Sequence, residues 1–221
     1  MFRKLVLFGI IIISLFSCYT HKIYLNSDKK SGKMVIDYKL DNDYLSILST
    51  ALSSISIGEN ENPIDPSALI DENVLRETFK NTKEVTLKTV KIDTTNGYTG
   101  HIEFTFSNFE QALKSIPAGM LNINIERQGG GLTISQIINL SKIDKDGIFL
   151  DFLEQQKEDD INLYNKLTKD AVFNFQIFTA TPIKKAEGVK LSADKKRADY
   201  SFTLGDLVKD INRDMKFLLS L

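Results

Sequence analysis

The sequence predicts an α+β fold in which a mainly antiparallel, curved sheet is built from hairpins and has helices packed on its apolar face. Two observations support this prediction. Stretches with alternating apolar and polar residues occur in pairs joined by polar turns, and stretches with helical spacing stand between the pairs. Each alternating strand has one apolar side, and packing helices on that side is the most economical way to bury it.

The first hairpin is predicted from Ile23 to Leu40, with a polar, glycine-containing turn at residues 27–32. Its second strand places four apolar residues on one face: Met34, Ile36, Tyr38 and Leu40. Asp43 is a predicted N-cap for an amphipathic helix, and Asp65-Pro66 opens a second helical region. The apolar stripes of these two helices include Leu48, Leu52 and Val74.

The clearest hairpin is predicted from Val85 to Phe106. Asn96-Gly97 is typical of a type I′ turn, unless Asp93 to Thr95 lengthen the loop, and a slip of the alternation at Thr89-Val90 indicates a β-bulge. A short helix is expected next, with Ser107 or Asn108 as its cap and Pro117 as its stop.

The second half of the chain continues the same pattern. Strands are predicted around residues 121–125, 132–134, 171–178, 189–191 and 198–204, with glycines 129–131 forming one turn. Helical spacing extends over about 149–169, and a C-terminal helix is predicted from Asp206 to Leu219. The segment 144–169 is interpreted as a possible helical insertion.

The amino terminus carries Arg3 and Lys4, an apolar run of about a dozen residues, and then Ser17 before Cys18. This run is shorter than the ~20 residues that a membrane-spanning helix needs. The arrangement resembles the signal and lipobox of bacterial lipoproteins, with a relaxed, spirochaete-like sequence before the cysteine. The resemblance implies cleavage before Cys18, acylation of that residue with palmitate-type chains, and anchoring in the bacterial cell envelope. An ordinary secreted protein with an incidental Cys18 and an uncleaved anchor are the alternatives.

The expected organisation is a signal peptide at 1–17, a lipidated cysteine and short tether at 18–22, and one domain at 23–221. Removing residues 1–17 leaves 204 of the 221 residues and changes the formal charge from −1 to −3, because Arg3 and Lys4 are lost. This balance offers no basic surface for nucleic acid. Cys18 is the only cysteine, so no disulfide can form within the chain.

The order of elements resembles that of the LppM-type bacterial lipoprotein domain. The likeness is carried by Cys18 to Tyr38, by the helix region Leu40 to Leu52, by the hairpin with Asn96-Gly97-Tyr98 and Gly100-His-Ile-Glu-Phe-Thr-Phe, and by the closing Ala198-Asp-Tyr-Ser-Phe-Thr-Leu. The resemblance implies an envelope domain with a hydrophobic cavity able to hold a lipid or glycolipid. It supplies no catalytic residue.

Motifs for catalysis, cofactors and transition metals are absent from the sequence, so an enzyme is not expected and no cofactor is predicted. His21 is placed in the membrane tether, and His101 on the polar side of a strand. Asp144-Lys-Asp146-Gly147 begins like a calcium loop but lacks the remaining ligands, and a turn explains it better.

Aromatic and apolar residues on the predicted inner surfaces are the candidate ligand-binding set: Leu48, Leu52, Val74, Phe104, Phe106, Phe173, Phe175, Tyr200 and Phe202. Periodicity alone does not distinguish a pocket lined by these residues from a filled core. The expected function is therefore a membrane-anchored envelope protein that binds a lipid or another apolar ligand. The alternative is a structural or interaction lipoprotein with a solid core that acts through protein–protein contacts.

Overall fold

A computed structural model describes residues 18–40, 72, 73, 76, 84–95, 97–115, 123–128, 131–143 and 147–221. The strands in chain order are β1 Cys18–Leu25, β2 Gly32–Leu40, β3 Val85–Asp93, β4 Tyr98–Phe106, β5 Ile123–Gln128, β6 Gly131–Ile138, β7 Val172–Thr179, β8 Lys185–Glu187, β9 Lys190–Leu191, β10 Arg197–Thr203 and β11 Met215–Ser220. The helices are α1 Phe109–Ser115, α2 Leu140–Ile143, α3 Ile148–Asp159, α4 Ile161–Asp170 and α5 Leu204–Lys209.

The strands form two sheets. The larger sheet has seven strands in the order β3-β4-β2-β1-β7-β10-β9, and the smaller has four in the order β5-β6-β11-β8. Every pair is antiparallel except β1 with β7, which run parallel at the centre of the larger sheet. The predicted α+β class with a mainly antiparallel sheet is therefore confirmed.

The larger sheet has a buried inner face and a partly solvated outer face, because side chains alternate along each strand. The inner face packs against the smaller sheet, whose Phe217 ring centroid lies 5.5 Å from that of Phe175 and 5.2 Å from that of Tyr200. Leu153 of α3 and Leu167 of α4 belong to the same buried cluster. The core thus lies between two sheets, with helices completing it.

Both predicted hairpins at the N-terminal end of the larger sheet are present. The register of β3 on β4 shifts between Leu87 and Thr89, which confirms the predicted bulge. Gly97 has a left-handed φ of 87°, but the last register pair of the hairpin is Asp93 with Thr99, so the loop is longer than the two residues of a type I′ turn. Asn108 caps α1 by accepting a hydrogen bond from the backbone N–H of Gln111 at 3.2 Å.

The N-terminal tether is a correction. β1 begins at Cys18 and pairs with both β2 and β7, so residues 18–22 are a central strand and not a flexible link. The alternation of Ile23 and Leu25 extends backwards through His21 and Tyr19, and all four side chains are buried. The placement of His21 in a tether was wrong for the same reason.

The C-terminal helix is a second correction. Helix α5 ends at Lys209, and the last part of the predicted helix is strand β11, which pairs with β6 and β8. Asn139 fixes the intervening turn, because its amide donates hydrogen bonds to the Asn212 carbonyl and the Asp214 carboxylate, both at 2.8 Å. The helical spacing of apolar residues continues by coincidence into a strand.

The helical stretch over about 149–169 is two helices. Asp160 separates them in an extended conformation and caps α4 by accepting hydrogen bonds from the N–H groups of Asn162 and Leu163. Ile161, an apolar residue within the predicted helical stretch, is 50% exposed because it stands at the first position of the second helix. The sequence also missed β8, a three-residue strand that pairs with β11.

Candidate ligand-binding face

Six of the predicted ligand-binding residues lie together on the inner face of the larger sheet. They are Phe104 and Phe106 on β4, Phe173 and Phe175 on β7, and Tyr200 and Phe202 on β10, all at least 92% buried. Leu48, Leu52 and Val74 lie outside the described residues. We call the four rings on β7 and β10, with Phe217 of β11, the aromatic cluster.

The aromatic cluster is built by the register of β10 on β7. Phe173 and Phe202 are directly paired and their rings stack at 5.0 Å, while Tyr200 is paired with Phe175. Such stacked and tilted pairs contribute about 0.5–1.5 kcal/mol each beyond the burial of their area. Phe217 reaches the cluster from the smaller sheet and covers Phe175 and Tyr200.

The other two aromatic residues form a separate group, because strands β2 and β1 stand between β4 and β7. Phe106 stacks on Phe109 of α1, with ring centroids 5.3 Å apart. Phe104 is fully buried and pairs with Met34 of β2. The structure therefore gathers four of the six aromatic residues into one cluster and places the other two at the far side of the same face.

His21 is the functional candidate that the sequence analysis missed. It lies at the centre of the inner face, between Ile36 of β2 and Phe175 of β7, and its side chain is fully buried. Its ring meets the Phe175 ring edge-on, with 4.9 Å between centroids. None of the described residues provides a hydrogen-bond partner for either ring nitrogen. The backward extension of the strand alternation was the signal that could have found it.

Burial governs the ionisation of the polar groups on the inner face. Desolvation lowers the pKa of His21 from 6.5 to about 3, so the imidazole is neutral at physiological pH. Desolvation also raises the pKa of Tyr200 to about 12, and no described residue bonds its hydroxyl group. Polar atoms thus stand within an otherwise apolar interior, an arrangement that native proteins rarely leave unsatisfied.

The outer face of the larger sheet carries a charged network at its centre. Asp37 accepts hydrogen bonds from Lys22 at 2.8 Å and pairs with His101 at 2.6 Å. Partial burial acts to raise the pKa of Asp37, but the hydrogen bonds from Lys22 and His101 outweigh it and hold this pKa below its ordinary value. His101 therefore lies on the polar side of its strand, as the sequence predicts.

A surface cleft of about 420 Å³ lies between α4 and α5. Its lining includes Tyr164, Thr168, Lys169, Thr203, Gly205, Val208 and Lys209. Gly205 permits the close approach of the two helices, because a Cβ there would meet the Thr168 carbonyl oxygen at 2.9 Å. None of the six described members of the predicted ligand-binding set lines this cleft.

In the described part of the chain, no group of three or more His, Cys, Asp or Glu side chains is arranged to hold a metal ion. No helix there is both long enough and apolar enough to cross a membrane.

Neither protein-family models nor curated proteins match this chain. Among solved structures, the chain is similar to the folded domain of Mycobacterium tuberculosis LppM, determined by NMR. The match covers 91% of this chain and 86% of that chain, at 13% sequence identity and a TM-score of 0.45. The resemblance to LppM-type domains that the sequence predicts is thus found again on comparing structures, as a likeness of fold alone.

Proposed function

We propose that this protein is a membrane-anchored lipoprotein of the bacterial cell envelope that binds a lipid or another apolar ligand between its two sheets. It is proposed as a binding protein and not as an enzyme. The observation that supports it is the inner face of the larger sheet, where the aromatic cluster contains Tyr200 and contacts His21, and no described residue bonds the Tyr200 hydroxyl or the His21 ring nitrogens. Ligand sites are typically apolar surfaces with a few placed polar groups.

The anchor in this proposal is Cys18. Strand β1 begins at Cys18, which is the register partner of Lys39 in β2 and of Val172 in β7. Acyl chains on Cys18 would therefore hold the central strand of the larger sheet beside the bilayer. Two or three acyl chains, at ~0.8 kcal/mol per buried methylene, give stable attachment. Labelling cells with palmitate tests this step. We expect label on the wild type and none on Cys18→Ser, which should leave the membrane fraction; equal fractionation of both proteins would refute the anchor.

Ligand binding is tested on the chain from Cys18 onward, which contains every described strand and helix. The probe is N-phenyl-1-naphthylamine, an uncharged apolar dye whose fluorescence rises on leaving water. We expect saturable binding that lipid extracts displace, and native mass spectrometry should show copurified lipid. Absence of both dye binding and copurified lipid would refute the proposed function.

Two residues of the same strand provide a matched pair of variants. Phe175→Leu alters the aromatic cluster, whereas Phe178→Leu alters the outer face, where Phe178 stacks on Tyr24 at 4.5 Å. We expect the first variant to weaken dye binding about tenfold and the second to leave it unchanged. Circular dichroism checks that both variants fold. Equal effects of the two variants would place the dye elsewhere.

The outer face favours a second candidate function, in which a solid-cored lipoprotein acts through protein–protein contacts. Besides the charged network around Asp37, this face carries a second polar group on β7 and β10, where Asp199 accepts hydrogen bonds from Gln176 at 2.8 Å and Arg197 at 3.0 Å. In-cell crosslinking from position 174, a half-buried outer-face position, tests this function. A specific protein adduct, together with absence of dye binding, would favour this candidate over ligand binding.

A further inference from the structure

Within the larger sheet, His21 lies among apolar and aromatic side chains. Its strand neighbours on the inner face are Ile36 and Phe175, and along its own strand Tyr19 lies at 6.3 Å between ring centroids. The nearby charged groups Lys22 and Asp37 belong to the outer face, where they bond each other. No charged side chain stands at a described inner-face position of β1, β2 or β7.

The chemistry of a neutral imidazole defines what could bind it. One ring nitrogen is a hydrogen-bond donor and the other is an acceptor. The two point away from each other, so a single ligand group pairs with one of them, and the unprotonated nitrogen takes a ligand that has an O–H donor. An undissociated carboxylic acid offers an O–H donor and a carbonyl acceptor on one carbon. A methyl ester of the same acid offers acceptors only.

We propose that His21 is the recognition site for the carboxyl group of a long-chain carboxylic acid whose apolar chain packs against the aromatic cluster. The carboxyl O–H donates to the unprotonated ring nitrogen, and the imidazole is buried among groups that leave this nitrogen with no described partner. The Phe175 ring, 4.9 Å from the imidazole, connects His21 to the cluster. This inference rests on the proposed function and names the ligand class of the same site.

The test is displacement of bound N-phenyl-1-naphthylamine by palmitic acid and by methyl palmitate, which share a chain and differ in the donor. It is run at pH 5, close to the ordinary pKa of a carboxylic acid, so that a substantial fraction of the acid carries its proton. We expect the wild type to prefer the acid about tenfold, the effect of one hydrogen bond in an apolar site. His21→Phe should lose this preference and keep its affinity for the ester. His101→Asn, a change at the other histidine on the outer face, should keep the preference.

A second measurement does not depend on whether the His21 variant folds. The chain has two histidines, so ¹⁵N-histidine spectra of the wild type contain two imidazoles, and His101→Asn assigns them. Palmitic acid should shift the ring nitrogens of His21 and leave those of His101 in place, and methyl palmitate should leave the signals of His21 nearly unchanged.

Three outcomes would overturn the inference. Equal affinity of the wild type for acid and ester would refute it while leaving the proposed function intact, because the dye still binds. Retention of the acid preference by His21→Phe would place the carboxyl group elsewhere. Absence of binding of dye, acid and ester would refute the proposed function and this inference together.

Discussion

Acid should destabilise this protein well above the pH at which carboxylates protonate, because His21 is buried in its neutral form. The pKa of His21 falls from 6.5 to about 3 on folding. At a pH between these two values, His21 is protonated in the unfolded chain and neutral in the folded protein. Stability is therefore lost as pH falls below 6.5, by ~1.4 kcal/mol per pH unit. Between pH 7 and pH 5 the expected loss is about 2 kcal/mol.

Between pH 7 and pH 5, the expected loss of stability comes from His21 and not from the carboxylates. Asp28 and Asp37 have lowered pKa values, so the stability they contribute is present above their ordinary pKa of 3.8 and is lost only below it. Urea unfolding of the lipid-free chain from Cys18 onward, at pH 7 and at pH 5, measures the effect. His21→Phe should lack about 2 kcal/mol of the pH dependence, and at pH 7 it should be as stable as the wild type or more so, because two unpartnered nitrogens are removed.

The control for this prediction is His101→Asn, which removes the other histidine from the partly exposed outer face. We expect this variant to keep most of the acid sensitivity of the wild type. Parallel pH profiles of the wild type and His21→Phe between pH 7 and pH 5 would refute the reasoning, because they would show that the imidazole of the folded protein takes up a proton as readily as that of the unfolded chain.

Three further changes have expected effects on the free energy of urea unfolding at pH 7. Asp37→Asn should cost at most ~1 kcal/mol, because its ion pairs are partly solvated. Gly100→Ala should cost about 1–3 kcal/mol, since a Cβ there would overlap the buried ring of Tyr38. Thr203→Ala should cost about 0.5–2 kcal/mol, because it removes the capping box that Thr203 forms with Asp206 at the start of α5.

Each of these values has a result that would contradict it. A loss above 3 kcal/mol in Asp37→Asn would mean that the outer-face network is far better shielded from water than its exposure indicates. An unchanged free energy of unfolding in Gly100→Ala would mean that the Tyr38 ring moves freely. For Thr203→Ala, Thr203→Ser is the matched control, and equal losses in both variants would exclude the hydroxyl as the cause.

The strands of the larger sheet could be predicted from the sequence because each has one apolar side. Phe173, Phe175 and Ile177 alternate with polar residues, and their burial follows that alternation. The turn at Gly97 could also be predicted, because glycine readily adopts the left-handed conformation found there. Even the bulge in β3 could be predicted, because a slip in alternation has no other simple explanation in a half-buried strand.

The parts of the fold that the sequence did not predict depend on contacts between residues distant in the chain. The parallel pairing of β1 with β7 and the assembly of β11 into a second sheet join residues that no local pattern relates. The stretch from Leu207 to Leu219 satisfies a helical spacing, and its interruption depends on the bonds of Asn139 to the turn at 210–214 and on the pairing of β11 with β6 and β8. His21 was missed because the first strand was predicted to begin at Ile23, five residues after its start at Cys18.

The parallel contact of β1 and β7 joins two halves of the larger sheet that are made at different times. Strands β1 to β4 come from residues 18–106, whereas β7, β9 and β10 come from residues 172–203. A chain made from its amino terminus therefore completes four strands before β7 exists, and such distant pairing is slow. During that interval one edge of β1, including Cys18, has no partner, and the arrival of β7 closes it. In the proposed lipoprotein, this interval is the one in which a processing enzyme would reach Cys18.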